Sequence, residues 1–99
     1  MKSFGEKLRE LRETKGLLLR EVGDTLNLDT ALVSKFERNE RKPTKEQVLA
    51  FAKFYNTNAE SLLVAWLSEK IAYELVDEKV ALKAVQLAEQ KIRGYKQKH

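Results

Sequence analysis

Three observations predict an all-α protein. The chain has only one Pro and four Gly among its 99 residues, so few positions interrupt regular structure. Apolar residues recur three and four positions apart rather than in alternation, which is the period of a helix. Hydrophobic residues make up 42% and charged residues 34% of the chain, the balance of an ordered helical protein with one core. We therefore expect five or six helices joined by short connections.

The first two helices are indicated by apolar spacing and by a terminator after each. Residues 3–15 form the first helix, and Gly16 ends it. The second lies in "LLREVGDTLN", where Asn27 can adopt the left-handed conformation that closes a helix. The residues expected to face inward are Phe4, Leu8 and Leu11 in the first helix and Leu19, Val22 and Leu26 in the second.

Capping residues begin the third and fourth helices. Asp29 caps a helix that runs to about Arg38. Thr44 begins the next one, and Gln47 three positions later completes a capping box. That helix ends at "NTN". The expected inward-facing residues are Leu32 or Val33 together with Phe36 in the third helix, and Val48, Leu49, Ala52 and Phe51 in the fourth.

Two longer helices complete the chain. Asn58 caps a fifth helix that extends to about Leu75, and Asp77 caps a sixth that extends to about Gly94. We expect the basic tail after Gly94 to be disordered in isolation, and either to touch phosphates or to be solvated. The apolar face of the fifth helix comprises Leu62, Leu63, Trp66, Leu67 and Ile71.

The positive charge of the chain is concentrated in two clusters. The formal net charge is +4, and a clustered basic patch is typical of a surface that binds phosphates. A solvated helix end is the alternative for each cluster. The clusters are Arg38, Arg41, Lys42 and Lys45, and Lys91, Arg93, Lys96 and Lys98.

The composition argues against an enzyme and against membrane insertion. The only histidine is residue 99, there is no cysteine, and no glycine-rich phosphate loop is present, so we expect no catalytic residues, metal or cofactor. The first residues, "MKSFGEKLRELRE", are charged at helical spacing, unlike a signal peptide or a transmembrane segment. Residues 78–95 lack the bulky aromatic face of a membrane-surface helix, except for Tyr95. We expect a cytoplasmic protein.

Two short helices joined around "LNLD", the second ending in cations, form a helix-turn-helix pattern. "GEKLRELRETKGL" resembles the first helix of the phage-repressor and Cro-like (Xre) DNA-binding family. "VSKFERNERKPT" resembles that family's recognition helix, its exit loop and the start of its fourth helix. The resemblance covers residues 3–67. It implies a lambda-repressor-like five-helix DNA-binding domain over residues 1–67, which binds the major groove of double-stranded DNA.

The resemblance also assigns roles to individual residues. An ion pair between Arg12 and Glu37 would orient the recognition helix, with two unrelated surface charges as the alternative. Val33 and Phe36 would face the core. The residues implied at base edges are Thr30, Ala31, Ser34 and Lys35, for which ordinary exposed helix surface is the alternative. Those implied at phosphates are Arg38, Asn39, Arg41 and Lys42, with Arg20 as a weak addition.

The start of the second helix departs from the family pattern. The family has Ser or Thr followed by Gln, which supply a helix cap and a phosphate-contacting amide, whereas this chain has Leu18 and Leu19. We expect the missing cap to cost about 1 kcal/mol. Two exposed leucines would instead offer part of a protein interface.

Residues 68–99 form a C-terminal extension with a helical seam of its own. Ala81, Val85, Ala88 and Ile92 are spaced for packing against a partner helix, which predicts a homodimer. The alternative is that this helix closes the core of its own chain. We expect a dimeric, sequence-specific transcriptional regulator, which is either a repressor or an activator. The alternative function is an antitoxin or other protein-interaction module on the same fold, which binds a partner through Leu18, Leu19 or the last helix and binds DNA as autoregulation.

Overall fold

The computed structural model describes residues 1–98, which form six helices and no strand, so the predicted all-α fold is confirmed over these residues. The chain divides into two compact units, residues 1–69 and the residues from 70 onward. None of the helices within residues 1–98 is both long and apolar enough to span a membrane. The helices are α1 (Phe4–Thr14), α2 (Leu19–Leu26), α3 (Thr30–Glu37), α4 (Lys45–Phe54), α5 (Ala59–Leu75) and α6 (Ala81–Lys98).

The caps of α3 and α4 are those that the sequence predicts. The Asp29 carboxylate accepts a hydrogen bond from the Ala31 N–H at 3.0 Å. At the start of α4, the Gln47 N–H donates to the Thr44 hydroxyl at 3.2 Å, and the Thr44 N–H donates to the Gln47 side chain at 2.9 Å. Each cap satisfies an N–H group that has no partner within its helix. Asn27 ends α2 in the left-handed region, with φ of 57°.

The start of α2 is partly capped, although the sequence predicts that its cap is missing. Leu18 has no side-chain acceptor, but its N–H donates to the Glu21 carboxylate at 2.9 Å, which supplies one half of a capping box. The expectation of two exposed leucines is wrong for Leu19, which is partly buried against the core. Leu18 remains 53% exposed.

The predicted bounds of α6 are wrong at both ends. Asp77 lies in the turn after α5 rather than at a cap, because the Glu78 N–H bonds the Leu75 carbonyl and the helix starts only at Ala81. At the other end α6 continues through Gly94 to Lys98 rather than ending in a disordered tail. Gly94 is followed by Tyr95 and then by Lys and Gln residues, which are good helix formers, and a single glycine does not outweigh them.

The core of residues 1–69 is built around the third and fourth helices. Phe36 of α3 meets Phe51 of α4 edge to face, with ring centroids 6.1 Å apart, and Phe51 stacks on Tyr55 at 6.0 Å. The buried apolar residues are Phe4, Leu8, Val22, Val33, Phe36, Val48, Phe51, Ala52, Tyr55, Leu62 and Trp66. This core holds α3 by the two residues, Val33 and Phe36, that were expected to face inward.

The unit from residue 70 onward lacks such a core. No residue of α6 is buried. Together with the end of α5 it forms an open groove of about 700 Å³. The groove is lined by Ile71, Leu75, Ala84, Val85, Ala88, Glu89, Ile92, Arg93 and Lys96.

Candidate nucleic-acid interface

The turn between α2 and α3 is tight because a glycine permits it. The Leu28 N–H donates to the Gly23 carbonyl at 2.8 Å. A Cβ at Gly23 would lie 2.7 Å from the Leu28 carbonyl oxygen, closer than side-chain carbons normally approach. Asn27 reverses the chain between them in the left-handed conformation. The two short helices therefore stand in the arrangement of a helix-turn-helix motif.

Helix α3 has one buried and one exposed face. Val33 and Phe36 are 1% and 2% exposed. The side chains of the other face belong to the predicted base-contacting set: Thr30, Ala31 and Lys35 are exposed and Ser34 is partly buried. The structure thus brings these four residues together on the first two turns of one helix, clear of the core.

An ion pair ties the inner side of α3 to α1. The Arg12 Nε donates to the Glu37 carboxylate at 2.8 Å and Nη2 donates to its other oxygen at 3.0 Å, while Nη1 bonds the Leu17 carbonyl at 2.9 Å. Only 14% of the Arg12 side chain and 5% of the Glu37 side chain are exposed. The hydrogen bond to Glu37 raises the pKa of Arg12, against the opposing effect of burial. The charge of Glu37 is therefore compensated inside the domain.

A buried tyrosine lies near this ion pair. Burial, and secondly the Glu37 charge, raise the pKa of Tyr55 to about 12, so its phenol stays neutral at physiological pH. Among residues 1–98, the Tyr55 hydroxyl has no hydrogen-bond partner.

The chain leaves α3 through a cationic loop. Arg38, Arg41 and Lys42 are all exposed. Arg38 bonds Glu40 at 2.7 Å, and the N–H groups of Glu40 and Arg41 both donate to the Lys35 carbonyl, at 2.9 and 3.4 Å. The loop therefore folds back onto the last turn of α3. Arg20 is exposed in the first turn of α2.

Asn39 occupies a different position from its cationic neighbours. Its φ is 60°, in the left-handed region. Its Oδ1 accepts a hydrogen bond from the Gly5 N–H at 3.0 Å, and its Nδ2 donates to the Ser3 hydroxyl at 2.8 Å. The side chain, expected at a phosphate, thus bonds the start of α1.

Gly5 and Glu69 also belong to this region, although the sequence pattern does not predict it. The Phe4 N–H donates to the Glu69 carboxylate of α5, next to the Gly5–Asn39 contact. These partners are far apart along the chain, so spacing carries no signal for them. The sequence contains one indication of this contact, which is Gly5 itself. A glycine inside a helical pattern often has a packing reason, such as the close approach of another backbone.

Comparison with known proteins agrees with this geometry. A family model described as a helix-turn-helix domain matches residues 3–66. The chain belongs to the helix-turn-helix family. It is 31% identical over 61 residues to the HTH-type transcriptional regulator ImmR of Bacillus subtilis (strain 168). The aligned part is 62% of this chain and 48% of that relative, so the match spans about half of the relative's length. The resemblance to the Xre-like family, drawn from two short stretches of sequence, is confirmed.

Proposed function

We propose that this helix-turn-helix protein is a sequence-specific DNA-binding regulator of transcription, most simply a cytoplasmic repressor, that inserts α3 into the major groove. The observation that carries the proposal is the division of α3 into two faces. Its inner face is held by the core and by the Arg12–Glu37 pair, whereas its outer face presents small and hydrogen-bonding side chains. A helix that enters a groove needs both properties.

The outer face of α3 supplies chemistry for reading bases. Thr30 and Ser34 hydroxyls can bond base edges or phosphates, and Ala31 is small enough to lie against a thymine methyl group. Lys35 extends from the same face and can donate to the O6 and N7 atoms of a guanine. The four residues cover the first turns of the helix, which is the part that reaches deepest into the groove in this class of motif.

The loop after α3 supplies the phosphate contacts. Arg38, Arg41 and Lys42 are exposed where the chain leaves the recognition helix, and Arg20 adds a cation at the start of α2. Phosphate contacts fix the register of the protein on the duplex but carry no sequence information. Since the Asn39 side chain is bonded to α1, we do not propose it as a phosphate ligand.

The end of α5 from residue 70 onward and α6, together called the C-terminal hairpin, support dimeric binding. Val85, Ala88 and Ile92, three of the four residues of the predicted seam, line the groove of this unit, and Val85 and Ile92 are 41% and 53% exposed. Ala81 is partly buried and is not among the lining residues. A second copy would cover this apolar surface, and two copies would match the two half-sites of an inverted repeat.

A salt titration of binding tests the DNA-binding proposal. Affinity for a DNA duplex should fall steeply with salt, and Arg41→Ala should reduce the slope of log K against log [salt] by about one unit on every sequence. Arg9→Ala is the matched control, because it removes the same charge from an exposed position on α1 and should leave the slope unchanged. Absence of any salt-dependent affinity would contradict the proposal.

A second candidate function is a protein-binding module on the same fold, such as an antitoxin. It is favoured by the 53% exposure of Leu18 and by the uncovered apolar residues of the hairpin. If the domain binds only protein, it should form a stable complex with a different protein and show no measurable DNA affinity, which the same salt titration detects. An antitoxin that also binds DNA as autoregulation should show both the complex and a salt-dependent DNA affinity.

A further inference from the structure

We propose that Asn39 is a positioning residue, whose side chain clasps the first turn of α1 and thereby holds the phosphate-contacting loop after α3 in its binding conformation. The inference rests on the proposed function. The hydrogen bonds that join Asn39 to Gly5 and to Ser3 form the Asn39 clasp.

The side chain of Asn39 is used differently from those of the other asparagines with a left-handed backbone. Asn27 and Asn56 have φ of 57° and 52° and lie after the ends of α2 and α4. Within residues 1–98 neither makes a side-chain hydrogen bond, so backbone conformation accounts for the asparagine at both positions. Asn39, with φ of 60°, also places its amide between two partners on α1. A backbone requirement alone does not explain that placement.

Gly5 lets the two segments approach closely enough for the clasp to form. A Cβ at this position would lie 2.5 Å from the Phe36 carbonyl oxygen, 2.6 Å from that of Glu37 and 2.7 Å from the Asn39 Oδ1. The backbone of α1 therefore rests directly on the carbonyl end of the recognition helix, where no side chain fits. Phe4, one residue earlier, bonds Glu69 of α5, which fixes the same turn from a second direction.

The clasp lies inside the loop that carries the cations. Arg38 directly precedes Asn39, and Arg41 follows two positions later. Fixing Asn39 limits the conformations of both neighbours before DNA arrives. Because ordering a loop on binding reduces affinity, a loop already ordered binds more tightly with the same contacts. Loss of the clasp should weaken operator binding by about tenfold and leave base preference unchanged, because the clasp touches no base.

The central experiment compares Asn39→Gly with Asn56→Gly in the full chain. Both substitutions keep a residue that accepts the left-handed backbone, and only the first removes the clasp. The DNA probe is the duplex that the wild-type chain selects from a random pool, and the affinity for it is measured well below the melting temperature of each variant. We expect about a tenfold loss for Asn39→Gly and less than a twofold change for Asn56→Gly. Equal affinities for the two variants would overturn the proposal.

A double-mutant cycle separates positioning from direct contact with DNA. Ser3→Ala removes one clasp partner and also the N-cap of α1, because the Ser3 hydroxyl accepts a hydrogen bond from the Glu6 N–H as well. The cycle is therefore read from the coupling: Asn39→Gly should cost less affinity in the Ser3→Ala background than in the wild type. Ser3→Thr keeps a hydroxyl and should bind like the wild type. If the two losses multiply without coupling, Asn39 acts on DNA directly and the proposal is wrong.

Amide hydrogen exchange without DNA distinguishes failure of the clasp from failure of the proposed function. Asn39→Gly should speed exchange at the Gly5 N–H, which loses its acceptor, and at Glu40 and Arg41, whose loop is released. Asn56→Gly should leave these amides unchanged. Unaltered exchange in Asn39→Gly would reject the clasp whatever the protein binds, whereas faster exchange in a chain with no DNA affinity would reject only the DNA-binding role.

Discussion

Residues 1–69 and the unit from residue 70 onward use similar side chains in opposite ways. In the first, leucine, valine and aromatic residues from several helices surround one another, and Phe51, Leu8 and Val22 are 1% exposed or less. In the second, Leu82, Leu87 and Ile92 are at least half exposed, and no residue of α6 is fully buried. The ion pairs of the two units also differ in how far they are buried. Arg12 and Glu37 are almost buried together, whereas Arg93 and Glu89 pair in solvent, with side chains 73% and 63% exposed.

The difference indicates how each part obtains its stability. The first unit carries its own core and its own charge compensation, so α3 is held in place within a single chain. The hairpin exposes an apolar groove that a monomer leaves in contact with water, and large exposed apolar surfaces usually mark an interaction site. We therefore expect the same substitution to have opposite or unequal effects in the two units.

The largest expected difference concerns the two arginine pairs. Arg12→Ala leaves the Glu37 carboxylate buried without its partner and should lower the free energy of unfolding by about 3–5 kcal/mol. Arg93→Ala breaks an exposed pair and should change the free energy of unfolding by less than about 1 kcal/mol. Urea unfolding monitored by circular dichroism measures both. Similar effects in the two variants would show that the Arg12 pair is not an internal support.

The hairpin itself is tested by introducing charge into its groove. Val85→Glu combined with Ile92→Glu should separate the dimer, because two carboxylates would be buried at the interface, while the monomer stays helical. Operator affinity should then fall on the order of a hundredfold, since one half-site has to act alone. Sedimentation measures the oligomeric state, circular dichroism measures the helicity, and a binding titration measures the affinity for DNA.

Leu82→Glu combined with Leu87→Glu is the matched control for this variant, because both residues are on α6 but do not line the groove. It should remain dimeric. Loss of helicity together with dimerisation in the groove variant would assign α6 to the core of the monomer. An unchanged dimer would move the interface elsewhere, with Leu18 as the next candidate.

The effect of a glycine-to-alanine substitution on stability should have opposite signs in the two units. Gly5→Ala places a methyl group against the carbonyl oxygens of Phe36 and Glu37 and should destabilise the protein by about 1–3 kcal/mol. Gly94→Ala meets no atom within 4 Å of the new Cβ and should stabilise α6 by about 0.5–1 kcal/mol. Thermal unfolding of both variants provides the measurement. A stabilising Gly5→Ala would contradict the close contact between α1 and α3.

These comparisons also show which features the sequence can and cannot predict. Asp29 and the Thr44–Gln47 box were predictable because a cap and its partners lie within three residues of each other. Asp77 led to a wrong helix start. An isolated Asp is a suitable capping residue, but its presence does not show whether the helix begins beside it or, as here, several residues later. The bond between Gly5 and Asn39 joins residues 34 positions apart, and only the folded chain brings them together.

The smallest expected effect at pH 7 concerns Tyr55. Its folded-state pKa of about 12 lies above the usual value of 10, so the folded protein holds the proton more tightly and loses stability as pH rises from about 10 to 12. Tyr55→Phe should remove that loss and change the free energy of unfolding at pH 7 by less than about 1 kcal/mol, because the hydroxyl has no partner among residues 1–98. Tyr95→Phe, at a residue 61% exposed, is the control and should leave the alkaline loss unchanged.

The central claim, that the exposed face of α3 reads DNA sequence, is tested most directly by selecting bound duplexes from a random pool with the wild-type chain and with Lys35→Ala. The wild type should enrich an inverted repeat whose half-site centres lie about 10 base pairs apart, one helical turn. Lys35→Ala should lose its preference at one base position of each half-site and keep the others, because Lys35 is assigned to a single base edge. No enriched sequence for the wild type, or an identical sequence for both proteins, would contradict the claim.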